Sequence, residues 1–526
     1  MRILIRGGQV LDGTGAEPRK ADVLVAGQRI EQVVANLRVP ADRTLDASGL
    51  VVAPGFIDIH AHGDLVPLAC PEAPARLHDG VTTEIIGNCG ESPFPQSPEM
   101  LAERKTSHRE FGLEVDWATL DDYARRHDGI RCAINRGSHV GHGNVRRAVM
   151  GEADRPPTPN ELEAMRREVA AALQAGAFGF STGLIYAPGM YARREELEAI
   201  CEVVARHDGL YASHIRGEGD RVEEAVEEFA AIGRATGVRL QHSHVKVAGK
   251  RNWPKADRLI QRLLELRAEG LDLACDRYPY RASATSLSAL FPGWLREGGR
   301  EEMLRRLADP ATRRRLAREL AASRDEWADW SDVVVSHAPC PGFCDAEGRS
   351  LKEIAAERSA DPALVACELL AASRGRAGVV MFSMSEENIE KWLRLPFVAI
   401  ASDSSCRAVE GPTARGKPHP RTFGTFARVL RRYVRERRVL SLAEAVRRMT
   451  SLPASRLGLA DRGVLRPGAF ADITVFDPDK ITDRATYQNP FRYSEGVCHV
   501  LVNGAIAMED GEPTGVRNGR FLRKGR

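Results

Sequence analysis

Pro54-Gly55-Phe56-Ile57-Asp58-Ile59-His60-Ala61-His62 is a short apolar run that leads into two histidines spaced i, i+2. On a β-strand that spacing puts both imidazoles on the same face. Neutral imidazole is the commonest protein ligand for a transition metal. In a parallel α/β barrel the C-terminal end of each strand faces the active site. The stretch therefore predicts a barrel strand whose tip points at a metal. A His-x-His pair alone is equally compatible with two unrelated surface histidines, so the rest of the chain has to decide.

Outward from this stretch, strands and helices alternate. Strand-like runs fall near 56–60, 82–87, 131–135, 178–181, 210–214, 239–244, 271–276 and 397–402, and helices near 160–175, 194–207, 220–236 and 255–269. Alternation of this kind implies a parallel sheet with crossover helices, and eight strands imply a (β/α)8 barrel over about 55–460. The gap from 276 to 397 is too long for one crossover. With helix-like 300–323 and strand-like Val333-Val334-Val335, it predicts an insertion at about 287–347, placed to act as a lid. Residues 1–54 and 461–526 read instead as short strands separated by turns such as Asp12-Gly13 and Asn503-Gly504. Two strand-rich ends predict one small β-sandwich built from both termini. The expected fold class is α/β: a TIM-like (β/α)8 barrel, a terminal β-sandwich and an inserted lid-like subdomain.

Composition narrows the function. The 526 residues are 43% hydrophobic and 28% charged, as in an ordinary globular enzyme. A net charge of +3 points neither to nucleic acid nor to an anionic membrane surface. Arginine clusters such as Arg313-Arg314-Arg315 alternate with apolar residues at helical spacing and read as solvated helix faces. The N-terminus lacks the apolar core of a signal peptide, and no run reaches the length of a membrane span. Ten scattered cysteines fit a reducing cytoplasm. Cys340-Pro341-Gly342-Phe343-Cys344 is a close pair, but a zinc site there would need two more ligands and only His337 is near, so free thiols are the favoured reading.

Potential ligands cluster at one end of the expected strands. His60 and His62 end the first strand, Asn88-Cys89-Gly90 follows the second, His214 ends the fifth, His244 the sixth, and Asp403 the eighth. Unrelated residues would scatter between both rims. His242 and His244 could share a strand face, and His244 is preferred because it lies nearer the loop. His139 and His142, beyond the third strand, are outer-shell donors or plain loop histidines, and His337 and His419 stay unassigned.

These residues resemble the amidohydrolase superfamily, whose opening motif looks like residues 54–62. Gly87-Asn88-Cys89-Gly90, Gly141-His142-Gly143, Ser181-Thr182-Gly183-Leu184-Ile185-Tyr186-Ala187-Pro188-Gly189, Ser243-His244-Val245-Lys246, Asp276-Arg277-Tyr278-Pro279-Tyr280 and Pro418-His419-Pro420-Arg421 resemble its D-aminoacylase branch, the N-acyl-D-amino-acid deacylases. The resemblance covers nearly the whole chain. It implies a zinc deacylase in which Cys89 is a metal-bridging thiolate. His214 and His244 would complete the tighter metal site, and His60, His62 and Asp403 a second, weaker one. One departure is the segment from Asp403 to Thr413, longer than the loop usual before Pro-His-Pro-Arg, which bears on side-chain preference.

A zinc with three protein ligands retains an open position and lowers the pKa of water to about 7. Asp403 is placed to take the proton from that water and return it to the leaving nitrogen. Lys246, Arg421, Tyr278 and Tyr186 are the candidate partners for a substrate carboxylate, Arg421 through a bidentate contact. A loop-pinning salt bridge is the competing role for Arg421, and a solvated surface position for Lys246. No glycine-rich segment has a phosphate-loop pattern, so no organic cofactor is expected. The expected partner is a small N-acyl-D-amino acid, and a homo-oligomer is compatible with this reading. Neutral apolar substrates such as D-Met, D-Leu or D-Phe derivatives are expected, because no second cationic cluster stands out near the rim. The competing functions are a cyclic-amide hydrolase such as a hydantoinase or dihydroorotase, which usually bridges its metals through lysine, and a non-catalytic scaffold, which would have lost ligands.

Overall fold

Local chemistry accounts for where the barrel helices begin. The Thr158 hydroxyl accepts a hydrogen bond from the Glu161 backbone N–H while the Thr158 backbone N–H donates to the Glu161 carboxylate, and Pro159 takes the first position of helix Pro159–Gln174. That helix buries Met165, Val169, Ala172 and Leu173 along one stripe. Helix Arg194–Arg206 does the same with Leu197, Ile200, Cys201 and Val204. Both stripes pack on the barrel core. The computed structural model describes residues 1–107, 111–322, 327 and 329–525.

Eight parallel strands form the barrel. In order they are Phe56–Asp58, Val81–Ile86, Asn135–Ser138, Gly179–Gly183, Leu210–His214, Arg239–His242, Leu273–Arg277 and Val398–Ile400. Neighbours pair in parallel, and the third strand continues past a break as Val140–Gly141, which pairs with the fourth. The ring closes where Asp403 N donates to His60 O at 2.8 Å and His62 N to Ser404 O at 3.0 Å. The closure itself involves three residues of the expected metal site, His60, His62 and Asp403. The fold is thus the expected (β/α)8 barrel.

Two strands differ from expectation. The third was placed at 131–135 but begins at Asn135. Ahead of it, Ala133 N donates to Pro71 O and Cys132 O accepts from Gly519 N, so the C-terminal tail and a loop occupy the backbone groups that a barrel neighbour would use. The sixth strand was expected to reach 244 but stops at His242. Ser243 N bonds Ser213 O, and His244 turns to a φ of 37°.

Both chain ends meet in one nine-stranded sheet, the small β-sandwich expected of the termini. Its seam pairs Val51–Pro54 antiparallel with Ile473–Phe476. Alternate residues such as Ile3, Ile5, Val23 and Val25 share one core with Ile473 and Val475 from the far end.

The insertion is larger than 287–347. Its antiparallel sheet has Gly378–Met381 at the centre, flanked by Ser283–Ser286 and Val333–His337. Its core runs from Leu287 to Met381 and includes Val365, Leu369 and Leu370 of helix Pro362–Ala372. A boundary at 347 would separate the central strand from its partners. The helix-like stretch 300–323 resolves into Gly299–Ala308 and Pro310–Ala322, with Asp309 accepting from Ala311 N between them, and residue 323 lies outside the described residues.

Candidate active site

The first, second, fifth, sixth and eighth strands deliver side chains to one point at the C-terminal rim. His60, Cys89, His244 and Asp403 present ligand atoms within 4.8 Å of one another. Cys89 Sγ lies 3.4 Å from His60 Nε2, 3.4 Å from His244 Nε2 and 3.9 Å from His214 Nδ1. His62 Nε2 approaches Asp403 Oδ1 at 2.9 Å. All six expected ligands are therefore neighbours. A tetrahedral zinc with Zn–S near 2.3 Å and Zn–N near 2.05 Å needs sulfur and nitrogen about 3.6 Å apart. The Cys89 contacts bracket that spacing, so the donor set fits zinc.

Backbone conformation explains how they converge. Cys89, His244 and Asp403 have φ values of 51°, 37° and 50°. Non-glycine residues rarely enter this left-handed region, and those that do concentrate at functional sites. Each residue follows the end of its strand, and the reversed twist throws its side chain inward. His242, on the regular strand, stays in the wall against Phe229, with neither ring nitrogen partnered. The shared strand face that the i, i+2 spacing allowed does not form, since the strand ends at His242 and His244 lies in the loop beyond it.

Two carboxylates escaped the sequence reading as site residues. Asp276 accepts from the His244 backbone at 2.7 Å and from Gln241 Nε2 at 2.9 Å, and its Oδ1 lies 3.1 Å from His60 Nδ1. Carboxylates commonly orient metal-binding histidines in this way. Its place at the tip of the seventh strand was a usable signal. Glu218 lies on the loop after the fifth strand, with Oε1 3.1 Å from His244 Nδ1 and 2.6 Å from Lys246 Nζ, and Oε2 3.6 Å from His214 Nε2. No spacing announced it. His214, Glu218 and His244 also form a cluster of metal-binding size, but Lys246 Nζ sits 2.7 Å from His244 Nδ1 and already supplies the positive charge there.

The electrostatics suit a metal. Burial would raise the Cys89 thiol, but the neighbouring His60 and His244 hold it well below its ordinary value, as a thiolate. Burial would likewise raise Asp403, yet Arg421 and His244 hold it well below the usual carboxylate range. His139 and His242 lack such partners, and burial pushes both down to about 3. His142 Nε2 bonds Glu196 at 2.8 Å and His419 Nε2 lies 2.9 Å from Ala282 O, so both are taken up structurally. His337 pairs with Glu347 at 3.3 Å, and neither it nor Cys340 or Cys344 joins a metal-sized cluster among the described residues.

A cleft of about 260 Å³ opens over the centre, and the insertion walls it through Ser283 to Ser286 and Met381. Tyr186, Lys246, Tyr278 and Arg421 all line it. Lys246 is 3% exposed, which rules out a solvated surface position. Arg421 Nη1 donates to Asp403 Oδ2 at 2.8 Å while its guanidinium lies 4.5 Å from the Tyr278 ring. It therefore makes a salt bridge and faces the cleft as well. Tyr186 Oη meets Thr285 Oγ1 at 3.1 Å, tying the fourth-strand loop to the insertion. Tyr278 Oη is buried without a partner among the described residues.

The sequence model of the amidohydrolase family matches residues 43–508. An N-acyl-D-glutamate deacylase of Alcaligenes xylosoxydans xylosoxydans is 38% identical over 99% of this chain and 96% of its own length. A D-aminoacylase of the same organism is 34% identical over 99% and 97%. The crystal structure of N-acyl-D-glutamate deacylase from Bordetella bronchiseptica, complexed with zinc and a phosphonate mimic of the tetrahedral intermediate, superposes with a TM-score of 0.82 at 37% identity, covering 99% of both chains. A cysteine-centred metal site at the rim of a barrel and a likeness that runs the length of the chain lead to one conclusion: this chain belongs to the amidohydrolase family.

Proposed function

We propose that this protein is a zinc-dependent N-acyl-D-amino-acid deacylase, hydrolysing the acyl amide to a carboxylate and a free D-amino acid. The observation that carries the reading is a cleft with the Cys89-centred donor set on its floor and Lys246, Tyr278 and Arg421 around it. We assign Cys89, His214 and His244 to the tighter zinc, and His60, His62 and Asp403 to a weaker second position. Zinc bound there supplies a Lewis acid for the amide carbonyl and lowers the pKa of water to about 7. Asp403, kept ionised by Arg421, accepts the proton of the attacking water and returns it to the amide nitrogen, which cannot leave as an anion. The unpartnered Tyr278 hydroxyl, with Lys246 and Arg421, is suited to hold the substrate carboxylate. A buried hydroxyl left unpaired costs about 1–3 kcal/mol, so binding satisfies a group that the empty cleft does not. Cys89 stands where a cyclic-amide hydrolase would use lysine, and every ligand position that a scaffold would have lost is filled. Ten unpaired cysteines support a cytoplasmic setting, and no helix among the described residues is long and apolar enough to cross a membrane.

Fixing metal and carboxylate leaves one direction for the side chain, and the choice of the D-form rests on the likeness to D-amino-acid deacylases. N-acetyl-D-amino acids should be cleaved and their L-forms rejected. Methyl esters should lose affinity, and Arg421→Ala should cost roughly 2–5 kcal/mol in kcat/KM for the free acid, the range for one partner of a buried charge pair. Equal kcat/KM for acid and ester would remove the carboxylate clamp, and faster L-turnover would overturn the assignment.

The side chain is better matched by an acidic group than by the apolar ones expected from sequence. Arg296, from the insertion, is 9% exposed. Its Nη1 donates to the carbonyl of cleft-lining Ile185 at 2.8 Å, its Nε is unpartnered, and it has no carboxylate partner among the described residues. Burial pushes its pKa down. A buried cation without a counter-ion is costly, and an acidic side chain would supply one. N-acetyl-D-glutamate should exceed N-acetyl-D-leucine in kcat/KM, and Arg296→Met should invert that order. An unchanged order in Arg296→Met would place the selectivity elsewhere.

A further inference from the structure

We propose that Glu218 is a positioning residue whose one carboxylate serves two tasks, orienting the zinc-binding histidines and aiming Lys246 at the substrate carboxylate. The second task rests on the carboxylate-clamp reading above. Three groups converge on Glu218: His244 Nδ1 at 3.1 Å, Lys246 Nζ at 2.6 Å and His214 Nε2 at 3.6 Å. Both histidines turn their other nitrogen towards Cys89. A histidine that offers one nitrogen to a metal needs the proton on the other, and an acceptor beside that proton fixes both tautomer and ring angle. Glu218 is the carboxylate facing those nitrogens of His214 and His244 at ion-pair distance, as Asp276 faces His60 through a hydrogen bond.

Lys246 alone would be poorly held. It is buried within 2.7 Å of His244 Nδ1, and a cation pressed against an imidazole that carries its proton there would be repelled. Glu218 lies between them electrostatically. Glu218 Oε1 stands 2.6 Å from Lys246 Nζ, so the buried ammonium has a buried carboxylate as its counter-ion. It lies four positions after His214, and its loop is anchored where Ala248 N donates to Glu218 O at 2.7 Å. The same anchor holds the chain that carries Lys246. One backbone contact and one carboxylate thus tie the loops after the fifth and sixth strands together.

The test separates these tasks. Glu218→Gln keeps size and removes charge. Zinc affinity, read by chelator competition without substrate, should fall about 10–100-fold, the usual effect of losing an outer-shell partner. The ratio of KM values for N-acetyl-D-amino acid methyl ester over free acid should fall towards one. Lys246→Met should collapse the same ratio while leaving zinc affinity unchanged. Adding Glu218→Gln to it should then lower zinc affinity without further change in the ratio. Glu218→Asp should recover part of both losses. Wild-type zinc affinity in Glu218→Gln, or an unchanged ratio in it while Lys246→Met shifts that ratio, would overturn the shared role. If Lys246→Met does not move the ratio, the clamp reading fails and the shared role fails with it, leaving Glu218 a metal-site residue only.

Discussion

Cys89→Ala is expected to lose tightly bound zinc and activity together. Zinc sites are worth roughly 10–16 kcal/mol in total. One ligand of three accordingly carries several kcal/mol, on the order of 10³ in affinity. Cys89 is the most connected of the ligands, with three imidazoles within 3.9 Å of its sulfur. The loss should exceed that in Glu218→Gln by about tenfold or more, because a ligand is removed rather than its support. Metal analysis after dialysis, alongside circular dichroism to show an intact barrel, is the measurement. About one zinc per chain is expected in the wild type and far less in the variant. Full occupancy in Cys89→Ala would sink the thiolate assignment. Cys89→Ser refines the result: if only the small side chain at a φ of 51° matters, serine should behave as wild type, whereas a need for thiolate predicts the alanine phenotype.

Asp403→Asn is expected to keep the tighter zinc and lose on the order of 10²–10⁴ in kcat, the scale of a general acid–base residue. Asparagine is nearly isosteric and tolerates the left-handed conformation that Asp403 adopts, so the closure of the barrel at His60 O should survive. The substitution removes the charge that Arg421 and His62 now share. KM for the free acid should change little by comparison, since Arg421 stays in the cleft. Turnover near the wild-type rate with metal present would move proton transfer to another group.

Two of the smaller expectations concern specificity, and they show where sequence reasoning reached its limit. Arg296 lies in the insertion, over a hundred positions from the Ile185 it contacts and ahead of the helix-like stretch 300–323, so no periodicity tied it to the rim. The lean towards apolar substrates came from looking for a second cationic cluster along the rim. The cation proposed above to meet an acidic side chain, Arg296, comes from the added subdomain. Likewise the insertion was expected to end at 347, with helices Leu351–Glu357 and Pro362–Ala372 not read from the sequence. Only their packing with Leu287 and Val333 assigns them to the subdomain core.

From sequence alone, the alternation of strand and helix, the strand-rich termini and the run ending in His60 and His62 determined the barrel, the sandwich and the rim on which chemistry occurs. Periodicity and capping are local, and a barrel places all strand tips on one side, so His60, His62, Cys89, His214, His244 and Asp403 could be named before their distances were known. Tertiary structure alone decided the rest. It ended the sixth strand at His242 and turned Cys89, His244 and Asp403 into left-handed conformations, which depend on what the neighbouring strands leave room for. It paired Arg421 with Asp403 and gathered His214, His244 and Lys246 around Glu218. Such contacts join residues from different strands and loops. Their strength depends on burial, which exists only once the chain has folded around them.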